Sequence, residues 1–132
     1  MAPTSVSVRP RPEQIIESLT TIVSKSEGEV VFVTCVDEDG YVGDSEAYAS
    51  MDKPKSSLPM ELLFSWPQEQ GIDTVMVTSR AAGPLETLAD SDIAFTRALI
   101  EEAEARGIEV LDHVLVRDGE HREMRAATDL WS

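Results

Sequence analysis

The stretch from Ser91 to Asp118 constrains the fold most, because it contains a helix pattern, a tight stop and a buried-strand pattern. Between Asp92 and Arg106 the large apolar side chains recur on one side of a helical wheel, which is typical of an amphipathic helix. Asp90 or Ser91 is predicted to cap its first N–H groups, and Gly107 to end it in the left-handed conformation. The run that follows Gly107 is nearly all apolar, which indicates a strand covered on both faces. A helix that leads by a short turn into such a strand predicts an α/β fold.

The rest of the chain adds further predicted elements in the order helix, two strands, helix, strand. The predicted helices span residues 12–25 and 58–70, and the predicted strands span residues 29–36, 41–49, 73–79 and, at the end, 121–127. Pro67 is predicted to bend or end the second helix, because proline removes a helical donor. Residues 50–57 are predicted to be a polar linker. The chain is expected to form a flexible arm over residues 1–11 and a single domain over residues 12–132.

The charge balance disfavours nucleic acid as a partner. The chain carries 25 acidic against 11 basic side chains, a net charge of −14, and such a surface repels phosphate backbones. Neither a secretory signal nor an apolar run long enough for a membrane span is present, so a cytoplasmic location without membrane attachment is expected. The single cysteine, Cys35, excludes an internal disulfide and is predicted to be buried.

The sequence resembles a known family along most of its length. The segment DSDIAFTRALIEEAEARGIEVLDHVLVRDGEHREMR is similar to the end of RadC-type JAB/MPN (JAMM) domains. Upstream, LPMELLFSWPQEQGIDTVMVTSR and the hairpin EVVFVTCVDEDGYVGDSEAYA also resemble the family. The resemblance implies a three-layer sandwich, related to the cytidine-deaminase fold, with a mixed sheet between helices. The helix-hairpin-helix region that precedes the domain in RadC proteins has no counterpart here.

The resemblance also implies a degenerate metal motif. Family members with the full motif use a glutamate, two histidines in the pattern His-x-His, a serine and an aspartate to hold and activate a zinc-bound water for amide or isopeptide hydrolysis. These positions map onto Glu46, Thr78 and Arg80, Ala89, and Asp92 of this sequence. Threonine is a poor zinc ligand, and arginine places a permanent cation where the metal belongs. The resemblance therefore implies neither a zinc cofactor nor a catalytic residue.

The remaining polar residues predict a former metal pocket without its metal. This predicted pocket consists of Glu46, Thr78, Ser79, Arg80 and Asp92. One hypothesis is that Arg80 replaces the charge of the metal by pairing with Glu46 and Asp92. The hypothesis requires the guanidinium to point toward both carboxylates.

The two histidines and two tryptophans are interpreted mainly as structural residues. His113 lies in the predicted buried strand and is expected to be hydrogen-bonded, whereas His121 is expected to be exposed. Trp66 and Trp131 are interpreted as core residues, with contact to a partner as the alternative.

The favoured functional interpretation is an inactive JAB domain that acts as a protein-interaction or scaffold module, with a protein partner or a second copy of itself. The alternative is a small-ligand-binding or hydrolytic protein that uses the former metal pocket. A role in DNA repair is a third hypothesis, and both the charge and the missing helix-hairpin-helix region disfavour it.

Overall fold

The structure, a computed structural model, describes residues 9–132 and contains a five-stranded mixed sheet between layers of helices. The elements are α1 (Pro12–Lys25), β1 (Glu29–Val36), β2 (Val42–Met51), α2 (Met60–Glu69), β3 (Thr74–Arg80), α3 (Asp90–Ala105), β4 (Glu109–Arg117), β5 (Glu120–Glu123) and α4 (Met124–Ala127). The strand order is β2-β1-β3-β4-β5. Among the strands of residues 9–132, only β3 and β4 pair in parallel, and α3 connects them. The predicted fold class is confirmed.

The two faces of the sheet bury separate apolar clusters, because side chains alternate along a strand. On one face, here called the α3 face, Val75 and Val77 of β3 pack with side chains of α2 and α3. On the opposite face, called the α1 face, Met76 packs with Leu19 and Val23 of α1. Consecutive residues at the end of β3 therefore belong to different chemical environments.

The predicted elements agree closely with the observed ones at α1, β1 and the α3–β4 turn. Gly107 has a φ of +70°, as predicted for a left-handed stop. The predicted cap of α3 is wrong, because the N-cap residue is Ala89 and makes no side-chain capping bond. Asp90 and Asp92 instead lie in the first turn, where the helix dipole favours negative charge.

The structure refines three local predictions. Pro67 does not end helix α2 at its own position, since the helix continues to Glu69. The last predicted strand stops at Glu123 and gives way to the short helix α4, whose Met124 is fully buried beside Leu115. The predicted polar linker contains a short 3-10 turn in which Lys55 is only 6% exposed.

The predicted N-terminal arm falls partly outside the described residues, since residues 1–8 are not described. The guanidinium of Arg9 pairs with Asp37 at 2.8 Å, and the carbonyl of Pro10 accepts a hydrogen bond from the N–H of Val42. Within residues 9–132, no helix has the length and apolar character needed to cross a membrane.

Candidate functional site

The candidate site lies where the carboxyl end of β3 meets the first turn of α3. In sheets with parallel strands, ligand sites form at the carboxyl ends of the strands. The loop after β3 brings Asp92 back beside Ser79, and one Asp92 oxygen accepts the backbone N–H of Ala82 at 2.8 Å. Ser79 is fully buried and Asp92 is 1% exposed. The fold therefore encloses a carboxylate and a hydroxyl in the protein interior.

The side chain of Lys55 supplies the cation at the centre of this site. Its Nζ lies 2.5 Å from the Asp92 carboxylate and donates to Ser79 Oγ at 3.0 Å and to the Arg80 carbonyl at 2.6 Å. Two of the three N–H bonds of the ammonium group thus donate to Ser79 and Arg80, and the contact with Asp92 Oδ1 is an ion pair. The ammonium also lies 5.4 Å from the centroid of the Phe95 ring, within the range of a cation–π contact.

His113 extends this site into the layer between β4 and α3. Its Nε2 is 2.7 Å from Ser79 Oγ, and its Nδ1 is 2.7 Å from Thr96 Oγ1. The Thr96 hydroxyl donates to the backbone carbonyl of Asp92 at 2.8 Å, so its oxygen is left to accept the N–H of Nδ1. Ser79 accepts from Lys55 and therefore donates to Nε2. We call Lys55, Ser79, Asp92, Thr96 and His113 the lysine centre.

The hydrogen bonds of the lysine centre fit one protonation state: a charged lysine, an ionised aspartate and a neutral histidine. Burial, and to a lesser degree the charge of Lys55, holds the pKa of His113 well below its usual value. Burial also lowers the pKa of Lys55, and the adjacent Asp92 carboxylate opposes that shift. A buried charge is costly unless it is paired and hydrogen-bonded. Here the Asp92 carboxylate is paired with the Lys55 ammonium through one oxygen and accepts the Ala82 N–H through the other.

Arg80 does not join the lysine centre, so the hypothesis that it pairs with Glu46 and Asp92 is wrong. Its guanidinium lies on the α1 face and donates to the carbonyls of Val23, Ser26 and Gly28, at 2.8, 2.5 and 3.0 Å. These carbonyls lie at and just after the last turn of α1, where a cation satisfies unpaired acceptors and the helix dipole. Arg80 therefore fixes α1 to the sheet.

The other two predicted pocket residues also lie away from the lysine centre. Thr78 is fully buried two residues from Met76, on the α1 face, and its hydroxyl has no hydrogen-bond partner among residues 9–132. Glu46 is exposed on β2, opposite Val33 of β1. Of the five residues predicted to share a pocket, the structure brings together only Ser79 and Asp92 through side-chain contacts.

Lys55 is the residue of this site that the sequence patterns did not predict. It lies in a polar stretch without periodicity, which is typical of a solvated linker. One signal was available: Lys53 and Lys55 are the only basic residues between positions 29 and 77, in a segment rich in acids. A lysine among so many carboxylates is a candidate for a buried ion pair, but only the tertiary structure shows which of the two lysines is buried and which carboxylate it meets.

The residues of this site do not fit a zinc ion. Zinc is held by three or four thiolate, imidazole or carboxylate ligands, at about 2.0–2.3 Å. Two mapped positions on the α3 face carry a carboxylate, Asp92 and Glu46. The Asp92 carboxylate is already neutralised by Lys55. Glu46, which pairs with Val33 of β1, is exposed. No group of three or more His, Cys, Asp or Glu side chains within residues 9–132 is arranged to hold a metal ion.

The predictions for the histidines and for Cys35 are confirmed. His113 is fully buried and hydrogen-bonded, and His121 is exposed on β5. Cys35 is 3% exposed, and burial, with the nearby charges of Asp44 and Glu46, raises its pKa to about 11. Trp131 is partly buried and donates its indole N–H to the carbonyl of Val110.

Sequence comparison assigns the chain to a family. Residues 10–128 match the model of the family described as "RadC-like JAB domain". Because the match covers most of the chain, the protein belongs to the RadC-like JAB domain family. The mixed sheet with helices on both faces is the architecture expected for this family.

Curated relatives of this chain carry the name UPF0758 protein. Those of Trichormus variabilis and a Nostoc species are each 30% identical to it over 74 residues, which is 56% of this chain and 30% of the relative. The UPF0758 protein of Pelobacter propionicus is 36% identical over 63 residues, which is 48% of this chain and 27% of the relative. The match thus spans less than a third of the length of these relatives.

Proposed function

We propose that this chain is a catalytically inactive, metal-free JAB domain that acts as a protein-interaction module. The observation that carries the proposal is the ion pair between the Asp92 carboxylate and the buried ammonium group of Lys55. A zinc-bound water requires an open coordination position and several nitrogen or oxygen ligands. The positions to which the resemblance maps the two histidines, Thr78 and Arg80, carry no zinc ligand and lie on the opposite face of the sheet. Glu46, to which it maps the glutamate, is exposed on β2.

The same observation weighs against the alternative of a ligand-binding or hydrolytic pocket. Ser79 and His113 are fully buried, and Lys55 fills the space beside them. A substrate would have to displace the lysine and leave Asp92 as an unpaired buried charge, which is costly. Ser79 also donates its proton within the lysine centre and has no path to solvent as a nucleophile.

An interaction role is supported by the exposed edge of the sheet. Strand β2 is an edge strand, and residues 43–47 are all exposed. An exposed edge strand presents unpaired backbone donors and acceptors, which are a template for another strand. The net charge of −14 makes a basic protein surface a better partner than nucleic acid or an identical acidic chain.

The first experiment measures metal content and metal response. Protein purified without added metal is expected to contain substoichiometric zinc by elemental mass spectrometry. Zinc, manganese and cobalt are expected to leave its melting temperature unchanged. Stoichiometric zinc in the purified wild-type chain, or zinc-dependent cleavage of an isopeptide substrate, would overturn the proposal.

The second experiment tests the interaction surface. Affinity capture from the source cells, with quantitative mass spectrometry, is compared for three proteins: wild type, S45K/A47K on β2, and E13K/E17K on the exposed side of α1. Loss of a partner in the β2 variant but not in the α1 variant is the expected outcome. Equal recovery from all three proteins would exclude β2 as the interaction surface.

A further inference from the structure

The lysine centre is built like a binding site for a small cation, with the ligand supplied by the chain. Three oxygen atoms converge on the Lys55 nitrogen: a carboxylate oxygen of Asp92, the hydroxyl of Ser79 and the carbonyl of Arg80, at 2.5, 3.0 and 2.6 Å. Two elements hold these oxygens: the start of α3 holds the carboxylate, and two consecutive residues at the end of β3 hold the hydroxyl and the carbonyl. The oxygen atoms are therefore positioned by the fold as well as by the lysine.

The geometry points to a cation site of the primary-ammonium class. In wild type the Lys55 side chain fills this site, and a substitution that shortens Lys55 makes it available to an ammonium ion from solution. This inference rests on the proposed absence of a zinc centre and says what has taken its place. The three nitrogen–oxygen distances, 2.5, 2.6 and 3.0 Å, are longer than the 2.0–2.2 Å that zinc and magnesium require. A single carboxylate balances a single positive charge. Two hydrogen-bond acceptors and one carboxylate oxygen surround the nitrogen, which suits an ammonium group.

The environment also selects for a ligand with an apolar stem. The Lys55 side chain is buried along its length, and Phe95 lies beside the ammonium. A Lys55→Ala substitution retains Cβ and removes three carbon atoms and the ammonium nitrogen, which are the atoms of n-propylammonium. The space left by the substitution thus has an apolar section and a polar end with three oriented acceptors.

The test is chemical rescue of K55A by added n-propylammonium. The melting temperature and far-UV circular dichroism are measured as the readouts. n-Propylammonium is expected to raise the melting temperature of K55A by roughly 3–6 °C at saturation, in a concentration-dependent manner. 1-Propanol, which lacks the charge, and tetramethylammonium, which lacks the N–H donors, are expected to have little effect. Wild type is expected not to respond, because its own lysine fills the site.

A matched variant shows whether rescue uses the proposed oxygen atoms. In K55A/D92N the carboxylate is gone, so the response to n-propylammonium is expected to disappear. If K55A alone does not fold, the readout becomes recovery of its helical circular dichroism on titration with n-propylammonium. An equal response to the alcohol, a response to zinc in place of ammonium, or no response in K55A would each overturn the inference. None of these results in K55A bears on the zinc content of wild type, which tests the proposed function separately.

Discussion

The two faces of the sheet at the end of β3 each hold one cation, and they stabilise it in different ways. On the α3 face, Lys55 is buried and is paired with a carboxylate, a hydroxyl and a carbonyl. On the α1 face, Arg80 is half-buried and binds three carbonyls at the end of a helix, without a carboxylate. The ammonium serves as an internal ion within the core, whereas the guanidinium joins a helix to the sheet at the rim.

The difference in burial and partners between Lys55 and Arg80 indicates which cation contributes more to stability. A charge removed from a buried pair leaves its partner uncompensated in a medium of low dielectric constant. A charge removed from carbonyls near solvent leaves dipoles that water can reach. The α3 face is therefore expected to be the sensitive one, although both cations make three polar contacts.

The largest expected effect comes from breaking the lysine pair. K55M is expected to lower the free energy of unfolding by about 3–5 kcal/mol, because Asp92 becomes an unpaired buried charge. Urea unfolding measures this change. K55M/D92N is expected to be less destabilised than the sum of the two single variants, since the lone charge is gone. Additive single changes would show that the two groups are not coupled.

The next effect is a dependence of stability on pH that comes from His113. Burial lowers the pKa of His113 in the folded state. Below the ordinary pKa of about 6.5, the imidazole therefore binds a proton in the unfolded chain but stays neutral in the folded chain. The contribution of His113 to the free energy of unfolding is therefore complete above pH 6.5. It decreases as the pH falls, by up to about 1.4 kcal/mol per pH unit for one proton. Between pH 6.5 and 5.5, H113Q is expected to abolish this slope in urea unfolding. H121Q, on the exposed edge strand, is the control and is expected to retain it.

A smaller effect is expected at the rim cation. R80K keeps the charge but replaces the planar fork with a point charge, so contacts to two of the three carbonyls are lost. The expected loss is about 1 kcal/mol in urea unfolding, with faster hydrogen exchange in the last turn of α1. A loss as large as that of K55M would remove the distinction between the two faces.

The smallest change in the free energy of unfolding is expected at Thr78, where the substitution stabilises the fold or leaves its stability unchanged. Its hydroxyl is buried without a partner among residues 9–132, so T78V removes a desolvated polar group at nearly constant shape. The variant is expected to be neutral or more stable by up to about 1 kcal/mol. T96V is the matched control, because the Thr96 hydroxyl is bonded to His113 and to the Asp92 carbonyl. T96V is expected to be destabilised by about 1–2 kcal/mol, and the opposite order would contradict the assignment.

Local patterns were enough to predict most of the fold. The proline at the start of α1, the apolar run of β1 and the left-handed glycine after α3 each act within a few residues, so their consequences are legible along the chain. The C-terminal helix α4 was not predictable in this way. Its four residues form a helical turn because Met124 is buried against Leu115 of β4 and Leu85 of the loop after β3.

The sequence by itself determined the family and most of the sheet and helices, because each of these is carried by residue identity and spacing. Only the tertiary structure decided which cation enters the core. Arg80 and Ser79 are neighbours in sequence, but the alternation of a strand sends them to opposite faces. Lys55 lies 37 positions before Asp92 and meets it only because β3 and α3 fold back on the turn that carries the lysine. The Coulomb energy of an ion pair depends on the distance between the charges and on their burial, and the order of residues in the sequence specifies neither directly.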